Sequence, residues 1–237
     1  MDRGPEPGTI KVPVPHDVRP EWSTATVPVH DWILTSWVQG RQTYRYGVYD
    51  MRTGEWRVLA GLRGILTDAL PLGPGRALVL TEYVLAEVDL VSLAIARLTG
   101  KVSAHSNHLR RIDADIVAVG NRRKTIEALV SVADLTVQAR RRRPDDALLE
   151  LPADAAIAGA CRPLHRTDDL LLAASGPYPG PAQQLLVFAA DTMSLLASVD
   201  FPAGLASART VPGAIIAAGP HMGRAPQISS IPWSGSV

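Results

Sequence analysis

RALVLTEYVLAEVDLVS, residues 76–92, holds two short apolar runs, Arg76-Ala77-Leu78-Val79-Leu80 and the stretch that closes on Val88-Asp89. Neither run has a helical period, and both have the length and the Val/Leu content of buried strands. The first run has four counterparts: Asp31-Trp32-Ile33-Leu34-Thr35, Asp115-Ile116-Val117-Ala118-Val119, Asp169-Leu170-Leu171-Leu172-Ala173 and Gly213-Ala214-Ile215-Ile216-Ala217. The second recurs as Tyr49-Asp50-Met51-Arg52-Thr53-Gly54, Ala133-Asp134-Leu135-Thr136 and Ala190-Asp191-Thr192-Met193-Ser194. In each, an apolar strand ends in Asp, a turn follows and a further strand begins. The carboxylate accepts bonds from amides about two residues on and pins the turn, so these aspartates read as structural.

The five first runs begin 45, 39, 54 and 44 residues apart, the period of four-stranded propeller blades. The expected fold is therefore all-β, a single-domain five-bladed β-propeller of antiparallel blades. Their approximate bounds are 20–62, 63–104, 105–150, 151–203 and 204–237. The last unit runs out of chain after Pro226-Gln227-Ile228-Ser229-Ser230-Ile231, and the segment 9–14, whose prolines suit only an edge strand, is expected to complete it. The strand–Asp–turn–strand pattern, reading Thr53-Gly54 in one turn, resembles the repeats of β-propeller proteins of the quinoprotein and YVTN type. That resemblance implies a fold and no activity. A β-sandwich accounts for many short strands but not for the period. An α/β fold would need a helix over 139–157, which Pro144 and Pro152 interrupt.

Composition narrows the partners. With 24 Lys+Arg against 23 Asp+Glu the net charge is +1, so no global field draws nucleic acid or an anionic membrane, and neither is expected. Aromatic residues, at 5%, are too few for a base-stacking platform. Met1-Asp2-Arg3-Gly4-Pro5 lacks the apolar core of a signal peptide, no run approaches ~18 apolar residues, and Cys161 is the single cysteine. A cytoplasmic location is the expectation. The run Arg140 to Arg143, leading into Pro144-Asp145-Asp146, reads as a solvated loop.

In a propeller the innermost strands line a channel. Here they precede the five runs, as segments 23–27, 66–70, 107–111, 160–164 and 205–209. Alignment on the repeat puts Asp68, Asn107 and Cys161 at one level and His108 and Arg162 at the next. Glu82, Asn121 and Ser175 end the second strands, with His221 near the corresponding place in the last blade. The candidate proton-transfer groups are thus His108, Asp68, Glu82 and His221, with Arg162, Asn121 and Arg209 for substrate binding. Each of these residue types also serves simply to hydrate a channel or to pair with a neighbour. Cys161 stands four residues before His165, about 13 Å along one strand face, too far for an activated thiolate pair. Six scattered histidines and turn-type glycines suggest neither a metal site nor a phosphate loop, and no cofactor is expected. The proline-rich segment 175–184 could serve as a lid or as a stiff surface connection.

The function these residues fit is a small-molecule propeller with its site at the channel mouth, taking a substrate with an anionic or polar group. Cofactor-independent lyase, isomerase or cyclase chemistry of bacterial metabolite biosynthesis is the reaction class expected of a His/Asp/Glu rim. A protein-interaction scaffold and a sugar-binding propeller are the alternatives.

Overall fold

The computed structural model describes residues 8–11, 23–39, 43–100, 102, 108–120, 126–142, 162–175, 182–205, 207–211, 213–219 and 227–233. Every regular element among them is a strand. The first blade contains β2 (Ser23–Val29), β3 (Trp32–Gln39), β4 (Thr43–Asp50) and β5 (Glu55–Leu59). The second contains β6 (Leu66–Gly73), β7 (Arg76–Thr81), β8 (Leu85–Asp89) and β9 (Ala94–Thr99). β10 (His108–Arg111), β11 (Ile116–Gly120), β12 (Ile126–Ser131) and β13 (Val137–Arg142) form the third. β14 (Arg162–Arg166), β15 (Leu170–Ser175), β16 (Ala182–Ala189) and β17 (Leu195–Leu205) form the fourth. In the fifth, β18 (Ser207–Val211), β19 (Ala214–Gly219) and β20 (Gln227–Pro232) are joined by β1 (Gly8–Lys11). Each is a four-stranded sheet in sequential order, except that β1 pairs antiparallel with β20 and so completes the last blade from the other end of the chain. This is the strand order of a five-bladed β-propeller.

One backbone bond repeats in all five blades and fixes their equivalence. The residue just after the third strand donates to the carbonyl just before the second: Met51 to Asp31, Leu90 to Gly75, Val132 to Asp115, Ala190 to Asp169 and Trp233 to Gly213. The second blade is therefore anchored at Gly75, one residue earlier than the sequence alignment placed it. Three blades have Asp at this position. In the second a glycine at φ +68° stands there, and the polar Arg76 beside it was the misleading anchor.

The turn between third and fourth strands is also repeated. Gly54, Leu135 and Met193 donate back to the carbonyls of Asp50, Ser131 and Ala189, and Gly54, Leu93, Leu135 and Met193 all have φ between +56° and +73°. Asp50 and Asp89 end their strands as expected. Asp134 and Asp191, by contrast, lie inside the turn, because Ser131 and Ala189 occupy the strand-end position. All four still cap amides within the turn, Asp50 that of Arg52, Asp89 those of Val91 and Ser92, Asp134 that of Thr136 and Asp191 that of Thr192.

The second strands are apolar runs because both their faces are covered, and β15 is buried at every position. The outer strand β9 alternates, with Ala94, Ala96 and Leu98 facing solvent. Arg140 to Arg142 belong to β13 and not to a loop. As a charged outer strand, β13 protects a sheet edge with side chains that read as loop-like in sequence.

Two compact units divide the chain, Val29–Leu148 on one hand and Met1–Pro28 with Leu149–Val237 on the other. In the first, Leu78, Leu80 and Leu85 of the second blade pack on Val117, Val119, Ala128 and Val130 of the third. In the other, Leu170, Leu172, Leu185 and Val187 of the fourth blade pack on Ala208, Ile215, Ala217 and Ile231 of the fifth.

Candidate functional site

Within the unit 29–148, the innermost strands β6 and β10 lie side by side, and their link is the side chain of Asp68. It is 1% exposed. Its Oδ1 accepts the amide of Ala69 at 2.9 Å, and its Oδ2 reaches across to accept the amide of Leu109 at 2.7 Å. The same Oδ2 lies 3.3 Å from Nδ1 of His108, which is within ion-pairing distance but without the alignment of a hydrogen bond. One carboxylate thus both ties two blades together and faces an imidazole. The carboxylate faces the Nδ1 side of the ring.

Register explains the meeting. Asp68 pairs with Leu80, His108 with Gly120 and Arg162 with Ala174. Counted from the anchoring carbonyls, these three partners are equivalent, so Asp68, His108 and Arg162 share one level of the repeat. The sequence alignment had set Asp68 level with Asn107. The difference is the one-residue slip at Gly75.

Glu82 sits at the same strand end of the second blade but in other company. Its Oε2 accepts the amide of Ile65 at 3.4 Å, and its own amide donates to the Ile65 carbonyl. Gly64, the residue before, is the hub of this corner. The Tyr46 hydroxyl donates to its carbonyl, while a Cβ built on Gly64 (φ +82°) would meet the Tyr83 ring at 2.6 Å and the Glu82 Cβ at 3.2 Å. Tyr44 lies two residues before Tyr46 on the same face of β4, about 7 Å nearer the strand end. Burial pushes the Tyr46 phenol well above its usual range, with Tyr44 and Glu82 adding to the effect. Tyr44 moves the same way, through burial, then Glu82 and Tyr83.

Of the remaining candidates, Asn121 belongs to the same unit and Arg162, Arg209, His221 and Cys161 to the other. Arg209 lies half-buried on β18, paired with Ile216. Arg162 begins β14, and nothing is described of its side chain. His221, Asn121 and Cys161, and positions 176–181 of the proline-rich segment, fall outside the described residues. His165 reaches Thr210 at 3.4 Å, a side-chain link between β14 and β18.

Sequence reasoning passed over two buried acids. Glu87 is 1% exposed between Arg76 and Arg97 on the flanking strands, with Arg97 Nε at 2.6 Å. Glu127, 3% exposed, takes Arg110 Nη2 on both oxygens at 2.9 and 3.0 Å, and Arg141 Nε at 3.0 Å. An acid in the middle of an otherwise apolar third strand, with arginines on other strands of the same blade, was the available signal. Among the described residues no group of three or more His, Cys, Asp or Glu forms a metal-ligand set.

No family model matches the chain. No curated protein is similar to it. Among solved structures it is similar to the crystal structure of BamB from Moraxella catarrhalis, at 17% sequence identity and a TM-score of 0.40, over 85% of this chain and 62% of that one. The chain spans less than two thirds of that protein's length. The fold assignment stands on the strand order and the repeated bonds.

Proposed function

We propose that the chain binds a small polar molecule at the end of the inner strands where His108 lies, and that His108 moves a proton there through Nε2. Asp68 is the positioning residue: buried and bonded to two amides, it fixes one side of the imidazole and offers a carboxylate to the imidazolium formed when Nε2 accepts a proton. This pair is the observation that carries the reading. The reaction class is cofactor-independent proton transfer, as in a lyase, isomerase or cyclase.

The test is a thermal-shift screen of the full chain against small polar metabolites, repeated on His108→Ala. Hits that stabilise the parent and not the variant support the reading. Hits that stabilise both proteins equally, or an absence of hits across the screen, overturn it. A scaffold is the second reading, favoured by Val58, Leu98, Val137 and Leu195, which stand exposed on the outer strands of four blades. Outer-strand apolar side chains of this kind suit a protein partner better than a small solute.

A further inference from the structure

The corner around Gly64 combines three phenol rings and one carboxylate at a strand end, and the Asp68–His108 pair makes no use of it. We infer that Tyr44, Tyr83 and Glu82, backed by Tyr46 and Gly64, form a binding site for an organic ammonium cation. The inference stands on residues other than His108 and holds or fails independently of the reading above.

The argument begins with what the corner lacks a reason to be. Tyr83 is a large side chain left 53% exposed, yet its ring is held against the Cα of Gly64, where any side chain would collide with it. Tyr46 is 3% exposed and fixes the other side of the same residue through its hydroxyl. Gly64 is thereby clamped between two tyrosines, and the ring of Tyr83 is set at the surface at little further entropic cost. Tyr44 stands two residues before Tyr46 on the same face of β4, while Tyr83, in the β7–β8 turn, lies against the Gly64 that Tyr46 holds. Glu82 adds a formal charge there, its position set by the Ile65 amide.

Ring faces carry negative quadrupolar potential, and a carboxylate beside them adds to it. A strongly hydrated inorganic ion gains little from such a surface. An alkylated ammonium gains most, because its charge is spread over apolar methyl groups that rings desolvate readily. The neutral phenols favour the same ligand: burial holds Tyr46 and Tyr44 protonated well above neutral pH, so neither ring adds a charge of its own.

The probe is tetramethylammonium, titrated into uniformly ¹⁵N-labelled full chain at constant ionic strength, with tert-butanol as the uncharged isostere. Saturable amide shifts at Gly64, Ile65 and Tyr83 for the cation, and much weaker ones for the alcohol, are the expected result. Glu82→Gln should weaken binding about fivefold, from loss of an exposed charge pair, and Tyr83→Leu about threefold, from loss of the exposed ring face. His108→Ala should leave the titration unchanged. Equal shifts for both probes would make this an apolar dimple and overturn the inference, as would non-saturating shifts of the cation. Should Tyr83→Leu lose its fold, Glu82→Gln decides alone: an unchanged affinity in it overturns the inference.

Discussion

Glu87 and Asp68 are carboxylates of the same blade, each about 1% exposed, and they are held in opposite ways. Glu87, on the third strand, is gripped by two guanidiniums that stay charged at any ordinary pH. Asp68, on the innermost strand, is held by two backbone amides and faces the His108 imidazole. Glu127 repeats the first arrangement in the next blade. Glu87 and Glu127 are thus each held between two arginines, whereas Asp68 is held by backbone amides and faces an imidazole. A carboxylate locked by arginines keeps neighbouring strands in register; one that faces an imidazole can take part in moving a proton.

The comparison breaks most visibly at the locked end. Glu87→Ala leaves Arg76 and Arg97 facing each other without a counter-charge, and Glu127→Ala does the same to Arg110 and Arg141. Loss of one partner from a buried pair costs about 3–5 kcal/mol. The arginine side chains here are 27–53% exposed and can turn to water, so about 2–3 kcal/mol is expected for each. Urea unfolding of the two variants measures it. Values below about 0.5 kcal/mol would place these triads with surface ion pairs.

Asp68 gives the next effect and sharpens the contrast, because here the neutral isostere should fail. Its two oxygens each accept a different amide, so Asp68→Asn can satisfy only one and turns an NH₂ donor toward the other. An unsatisfied buried donor costs about 1–3 kcal/mol, and Asn should therefore destabilise nearly as much as Ala. If Asn proves neutral, the Leu109 amide has another partner and the β6–β10 link is not made by the carboxylate.

The same contrast shows what the sequence revealed. Strand content, blade number and the pairing of the N-terminal segment were legible because apolar runs and turn residues repeat at a period that few folds share. The second strands were found to within one residue. That residue mattered at the site: an error too small to affect the fold separated Asp68 from His108. Buried charge was the least legible feature, since Glu87 and the arginines that hold it are neighbours across strands and distant in sequence. The arginine-rich β13 was misread for a related reason. Edge strands carry charge to avoid pairing, and charge without tertiary context reads as loop.

The smallest expected effect lies at the turns, where the carboxylates are exposed and their partners are local. Asp50 is held below its usual 3.8, chiefly by its bond to the Arg52 side chain, with the Arg52 amide and charge assisting. The Ser92 amide does most to lower Asp89, and the side chains of Ser131 and Thr136 do most to lower Asp134. A carboxyl group whose folded value is depressed stabilises the native state above the unfolded value, near 3.9, and loses that contribution as pH falls through the folded one. In that window the unfolded chain binds more protons, so acid favours it. Stability should therefore be level, as far as these groups go, from neutrality to about pH 5, and should decline below about pH 4. Asp50→Asn, Asp89→Asn and Asp134→Asn together keep an acceptor at each turn while removing the charge that titrates. The triple variant should show a shallower acid limb and little change in unfolding midpoint at pH 7, since an amide oxygen still accepts the capping bond. Urea midpoints at pH 7, 5, 4 and 3 for the two proteins decide it. Parallel curves would mean that the turn aspartates act only as acceptors, and that the acid sensitivity arises elsewhere in the fold.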